Sequence, residues 1–228
     1  CGTYVQNGLG ASKEIATAES PEAKFNLNPE QCISEDIEAI NTTIPGSYPT
    51  SSGACAGEVN YDWQVKKPSF SDFLPVSLLN SSWVVGDDLL IPASDVDEVG
   101  CWEIKLIAVN PAACLAESVY TDTVNIEDIP DADFNDIGDI CQNQQITLTD
   151  ASNIIEATCD PTLPNETPTY VWSVSPNTGY TLGNDNDGNP TTLNSQNPVI
   201  TFTEVGTYTV DLTVTTECGS DTHSETFD

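Results

Sequence analysis

The sequence contains no arginine, no methionine and a single histidine, and only five lysines stand against thirty-six acidic side chains, a formal net charge of −31. A surface of that sign repels nucleic acid and anionic membranes, since binding phosphate needs the opposite charge. One histidine and no closely spaced cysteine pair leave a zinc-type site without a ligand set. No apolar run approaches the length of a membrane span. No stretch shows a convincing 3.6-residue period, which argues against helical domains. The chain does not begin with methionine, so it reads as a mature product or an excerpt of something longer.

What is present is alternation. Tyr208, Val210, Leu212 and Val214 alternate with Thr207, Thr209, Asp211, Thr213 and Thr215, and Trp102, Ile104, Leu106 and Ala108 do the same earlier. A period of two with β-branched and aromatic residues predicts strands with one buried face and one wet face. A self-comparison extends the match. Pro21-Glu-Ala-Lys-Phe25 aligns with Pro130-Asp-Ala-Asp-Phe134, Cys32 with Cys141, and Tyr61-Asp-Trp63 with Tyr170-Val-Trp172, each pair 109 positions apart. Cys1-Gly2 echoes Cys218-Gly219. The expected organisation is the last strand of a preceding repeat over 1–20, one repeat over 21–129 and a second over 130–228. About seven short strands per repeat, with a tryptophan on the third, predict an all-β chain of tandem immunoglobulin-like β-sandwiches. Tyr208 is placed either in a tyrosine-corner contact or simply at the rim.

Eight cysteines without methionine point to an oxidising, extracellular setting. Cys55 and Cys114 are 59 positions apart, as are Cys159 and Cys218. Both pairs fall at one end of a sandwich, and each is predicted to form a bridge. Cys32, expected to open the second strand, and Cys101, expected to open the sixth, share an end and are predicted as an extra bridge. Thr207 stands where Cys101 would recur, which leaves Cys141 without that partner, and Cys1 is expected to pair upstream.

Asn184-Asp-Asn-Asp-Gly-Asn189 crowds hard oxygen donors into one loop, making Asp185, Asp187 and Asn189 candidate calcium ligands. Glu127, Asp128, Asp131 and Asp133 at the joint are a second candidate set; the competing reading is that these are turns and solvated carboxylates. Catalysis has no footing: no nucleophile–base arrangement emerges, and a solvent-facing strand position accounts for His223. Phe70, Phe73 and Trp83, in a first-repeat insertion, are candidate ligand contacts if exposed and core residues if not.

Tyr170-Val-Trp172, the Val199–Phe202 strand, Gly206-Thr-Tyr-Thr-Val-Asp-Leu-Thr-Val and Cys218-Gly-Ser resemble the PKD-type Ig-like repeats of large Bacteroidota surface proteins. The Gly-Asp-Gly usual after the tryptophan is replaced by Ser173-Val-Ser-Pro. The resemblance implies a non-enzymatic cell-surface stalk or adhesin of the type IX-exported, gliding kind, with neighbouring repeats of the same chain as partners. A module binding surface glycan or protein and a subunit of an extracellular filament are the alternatives. No cofactor is expected, calcium aside.

Overall fold

The fold is taken from a computed structural model, which describes residues 19–50, 53–56, 58–111, 117–155, 159 and 167–228. The chain divides into two compact units between Ile126 and Glu127, three residues before the joint expected at 129/130.

In the first unit, two sheets form around one core. Strands β1 (Phe25–Leu27), β2 (Glu30–Cys32), β3 (Ile37–Asn41), β4 (Ser47–Thr50), β5 (Gly53–Ala56) and β6 (Asn60–Lys66) come first. Then follow β7 (Leu74–Pro75), the one-turn helix α1 (Val76–Leu79), β8 (Val84–Val85), β9 (Asp88–Ile91), β10 (Gly100–Val109) and β11 (Glu117–Glu127). One sheet runs β1-β3-β9-β8 and the other β2-β11-β10-β6-β7, while β4 and β5 make a separate hairpin. That order, with the third and sixth principal strands (β6, β10) adjacent in one sheet and the second and fifth (β3, β9) in the other, is the immunoglobulin-type sandwich. Phe25, Ile37, Ala39, Leu89 and Ile91 from the first sheet meet Trp63, Val65, Trp102, Ile104, Leu106 and Val124 from the second in one buried cluster. Alternation in β10 puts every second side chain in this core, as period two requires.

Among its described residues the second unit repeats the scheme with fewer strands: β12 (Gln145–Thr147), β13 (Thr169–Ser175), β14 (Tyr180–Leu182), β15 (Val199–Phe202), β16 (Tyr208–Thr216) and β17 (Gly219–Phe227). Its sheets are β12-β15-β14 and β13-β16-β17. Leu148, Trp172, Val174, Ile200, Phe202, Tyr208, Val210, Leu212 and Val214 form the core, together with Phe134. The first strand expected at Phe134 is reduced to an isolated bridge with Asp150. Cys32 does not open the second strand. It ends the short β2, which lies beside β11 in the opposite sheet.

Candidate functional site

Both units assemble the same packing devices. Phe25 tilts against Trp63 with ring centroids 5.1 Å apart, and Phe134 against Trp172 at 5.1 Å. The third-strand indoles each donate to the turn before the fifth strand: Trp63 Nε1–H to the Asp87 carbonyl at 3.1 Å, and Trp172 Nε1–H to that of Ser195 at 3.1 Å. A buried indole N–H needs such an acceptor.

The start of the sixth strand carries a second shared device. The Tyr208 hydroxyl lies 3.1 Å from the carbonyl oxygens of both Glu204 and Gly179, and the residue is 4% exposed. This is the tyrosine-corner arrangement, in which a buried ring ties the strand to the backbone just upstream. Gly179 sits at φ +81°, and a Cβ there would collide with the Tyr208 hydroxyl. In the first unit Trp102 does the same job, its Nε1–H reaching the Glu98 carbonyl, four residues upstream, at 2.9 Å. Lys67, whose side chain is only 11% exposed, holds its ammonium 4.7 Å from the centroid of the Trp102 ring and 2.5 Å from Asp97. The hydrogen bond from Lys67 holds the Asp97 carboxyl below the usual carboxylate range.

His223 is not a purely solvent-facing strand residue. It meets Phe134 edge-on at 5.0 Å, where Tyr120 meets Phe25 at 5.0 Å in the first unit. Its Nε2 lies 3.6 Å from Asp133 Oδ1 and 3.9 Å from Glu225 Oε1. The ring therefore acts as a lid on the core, a role that its polar neighbours in sequence conceal.

Of the candidate ligand contacts, Trp83 is corrected outright. It is 4% exposed, belongs to the core, and donates from Nε1 to Asp95 Oδ2 at 2.7 Å, so it presents nothing to a partner. Phe70 is half-buried, and the half-buried Phe73 ring lies 3.9 Å beneath the Lys105 ammonium. The insertion instead exposes Leu78, Val84 and Val85.

Cys32, Cys101, Cys159 and Cys218 are disulfide-bonded, and Cys141 is free and exposed. Cys1 and Cys114 lie outside the described residues, and only the backbone of Cys55 is described.

The acidic loop closes on itself. Asp185 Oδ1 accepts the N–H groups of Asp187 at 3.0 Å and Asn189 at 2.8 Å, and Oδ2 accepts the Asn189 amide at 3.2 Å. These donors, those of Asn189 first, lower the Asp185 pKa below its ordinary value. Asp187 is exposed and gives the turn only its backbone. At the joint, Asp128 Oδ1 accepts the Ile129 N–H at 2.7 Å and Asp133 Oδ1 that of Phe134 at 2.8 Å. Asp131 exchanges backbone hydrogen bonds with Asn153, and Glu127 ends β11. Among the described residues, no three His, Cys, Asp or Glu side chains converge to hold a metal ion.

Because Asp185 ties this loop together through its hydrogen bonds, Asp185→Ala is expected to lower the melting temperature even with chelator present at fixed ionic strength. A loss that vanishes in chelator would establish a cation site there instead. Because the folded pKa is depressed, the contribution of Asp185 is present above the ordinary carboxylate pKa of about 4. It is lost as pH falls through the folded value.

No protein-family model matches the chain, and no curated protein matches it. Among solved structures, it is similar to Sidekick-1 immunoglobulin domains 1–5, at 13% identity and a TM-score of 0.45, covering 94% of this chain and 39% of that one. It is also similar to the full ectodomain of mouse nectin-like molecule 4, at 11% identity and a TM-score of 0.46, covering 94% and 65%. A third is the N-terminal eight Ig domains of Down Syndrome Cell Adhesion Molecule, at 12% identity and a TM-score of 0.47, covering 92% and 27%. The immunoglobulin-like assignment rests on the strand order and the core, not on these similarities. No helix among the described residues is long and apolar enough to cross a membrane.

Proposed function

We propose that this chain is a non-enzymatic segment of tandem Ig-like repeats from an extracellular protein, serving as a stalk or adhesin at the cell surface. The observation that carries this reading is the repetition of the same packing devices in both units. Each unit spends its aromatic residues on the same Phe–Trp contact and the same corner hydrogen bond. Selection for identical internal architecture in successive units fits a part whose work is to hold distance and resist unfolding. Bonded cysteines in both units support an oxidising, extracellular location. Its partners on this reading are the neighbouring repeats of the same long chain, and it binds no nucleic acid. The finer assignment, a Bacteroidota adhesin of the gliding type, rests on the PKD-like sequence resemblance alone.

Force spectroscopy of the oxidised chain tests the proposal. Two discrete unfolding events are expected, one per unit, each lengthened by reductant as the bridged loops are released. A chain that yields without discrete steps at low force would remove the stalk reading.

A further inference from the structure

The outer face of the β1-β3-β9 sheet in the first unit holds an open groove of ≈570 Å³. That volume falls in the usual range for small-molecule sites, roughly 300–1,000 Å³. Because Phe25, Ile37, Ala39, Leu89 and Ile91 point into the core, the intervening residues face outward. Register places Asn26 beside Ile40 and Glu38 beside Leu90 on that face. Asn28, Gln31 and Asp36 from the β1–β3 connection complete one wall, and Leu27 adds to the apolar floor of Ile40 and Leu90. Ile40 is 46% exposed, an aliphatic side chain left uncovered among amides and carboxylates. Gln31 donates from Nε2 to the Asp36 carbonyl at 2.7 Å, while its Oε1 is buried without any hydrogen-bond partner. An acceptor in that state is costly unless something donates to it.

We infer that this groove is a binding site for a neutral saccharide. Three carboxamides line it, and each offers both a donor and an acceptor. A sugar hydroxyl likewise donates and accepts, so it can satisfy the exposed amides and the two carboxylates together. A lysine or arginine head group only donates, and it would leave the carboxamide N–H groups unmet. An anionic ligand is opposed by Asp36 and Glu38 and by the −31 net charge. The aliphatic floor suits the C–H face of a pyranose. With no aromatic platform, affinity is weak, with a dissociation constant on the order of 1 mM.

The groove belongs to the first unit only. At the repeat-equivalent positions Asn26 recurs as Asn135, but the second unit has Ile137 for Asn28, Ile140 for Gln31, Gln145 for Asp36, Thr147 for Glu38 and Thr149 for Ile40. The core devices recur while these five lining positions do not, which sets them apart from scaffold.

The test is an amide NMR titration of the full chain with neutral tetrasaccharides of glucose, mannose and galactose, and in parallel with trilysine. At least one saccharide is expected to shift amides within residues 26–40 and at Leu90, with no change on adding about 0.5 M salt, because neutral contacts are not screened. Asn26→Ala combined with Asn28→Ala, both exposed positions whose loss leaves the fold intact, should weaken binding about tenfold, the loss expected for about 1.4 kcal/mol. No saccharide shift at about 20 mM, or shifts confined to trilysine and abolished by salt, would overturn the assignment. Neither outcome bears on the force-spectroscopy result, so the groove and the stalk stand or fall separately.

Discussion

Leu212→Asp unfolds the second unit and leaves the first folded. Leu212 is fully buried, pairs with Trp172 across β13 and β16, and lies in the cluster that holds Phe134, Leu148 and Val210. An aspartate there loses the transfer energy of the leucine and also buries a carboxyl with no partner. The two effects together cost upwards of about 4 kcal/mol. A unit of about 100 residues has a total stability of roughly 5–15 kcal/mol, so the loss consumes most or all of it. The first unit has its own core and keeps its own transition. Trp172 is the second unit's only tryptophan, while Trp63, Trp83 and Trp102 report on the first. The measurement is a melt followed by near-UV dichroism, with Leu212→Ile as the conservative control, expected to cost less than about 1.5 kcal/mol. A wild-type melt for Leu212→Asp would mean that the strand is slipped by one residue and its faces are reversed.

That register was legible because β10 and β16, of ten and nine residues, alternate along their lengths, and one buried face admits only one register. The repeat was legible for the same reason: core positions such as Phe25 and Phe134, or Trp63 and Trp172, tolerate little change between copies. Shorter elements left no such mark. β7 is two residues long, and the β4–β5 hairpin, Ser47-Tyr-Pro-Thr50 with Gly53-Ala-Cys-Ala56, has little periodic content. Trp83 misled because an aromatic residue in an insertion looks available until Asp95 is found capping its indole. His223 misled in the same direction, since Thr222 and Ser224 do face solvent while the histidine turns onto Phe134. The groove could not be read from the chain at all. Asn26, Gln31, Glu38 and Leu90 come from separate segments, and only the sheet order brings them together.

Replacing Cys159 or Cys218 is expected to destabilise the second unit by about 4 kcal/mol, the chain-entropy value for closing a loop of about 60 residues. Both cysteines are bonded, and the unit's remaining cysteine, Cys141, is free. Mutual pairing is therefore the expected arrangement. A mutant cycle tests it more sharply than either substitution alone. If the two sulfurs bond each other, Cys159→Ser, Cys218→Ser and the double variant should all lose the same stability, since each breaks one and the same bond. If either is joined elsewhere, the double variant should lose about the sum. Cys141→Ser should leave the melt unchanged, and native-state maleimide labelling should find its thiol. For the first unit, non-reducing peptide mapping is expected to join Cys32 to Cys101 and Cys55 to Cys114. A peptide linking Cys55 to Cys159 would end the repeat-based assignment of the bridges. Losing about 4 kcal/mol from a unit holding roughly 5–15 brings it close to its threshold at 37 °C. Reductant should then lower the force needed to open that unit as well as lengthen its extension.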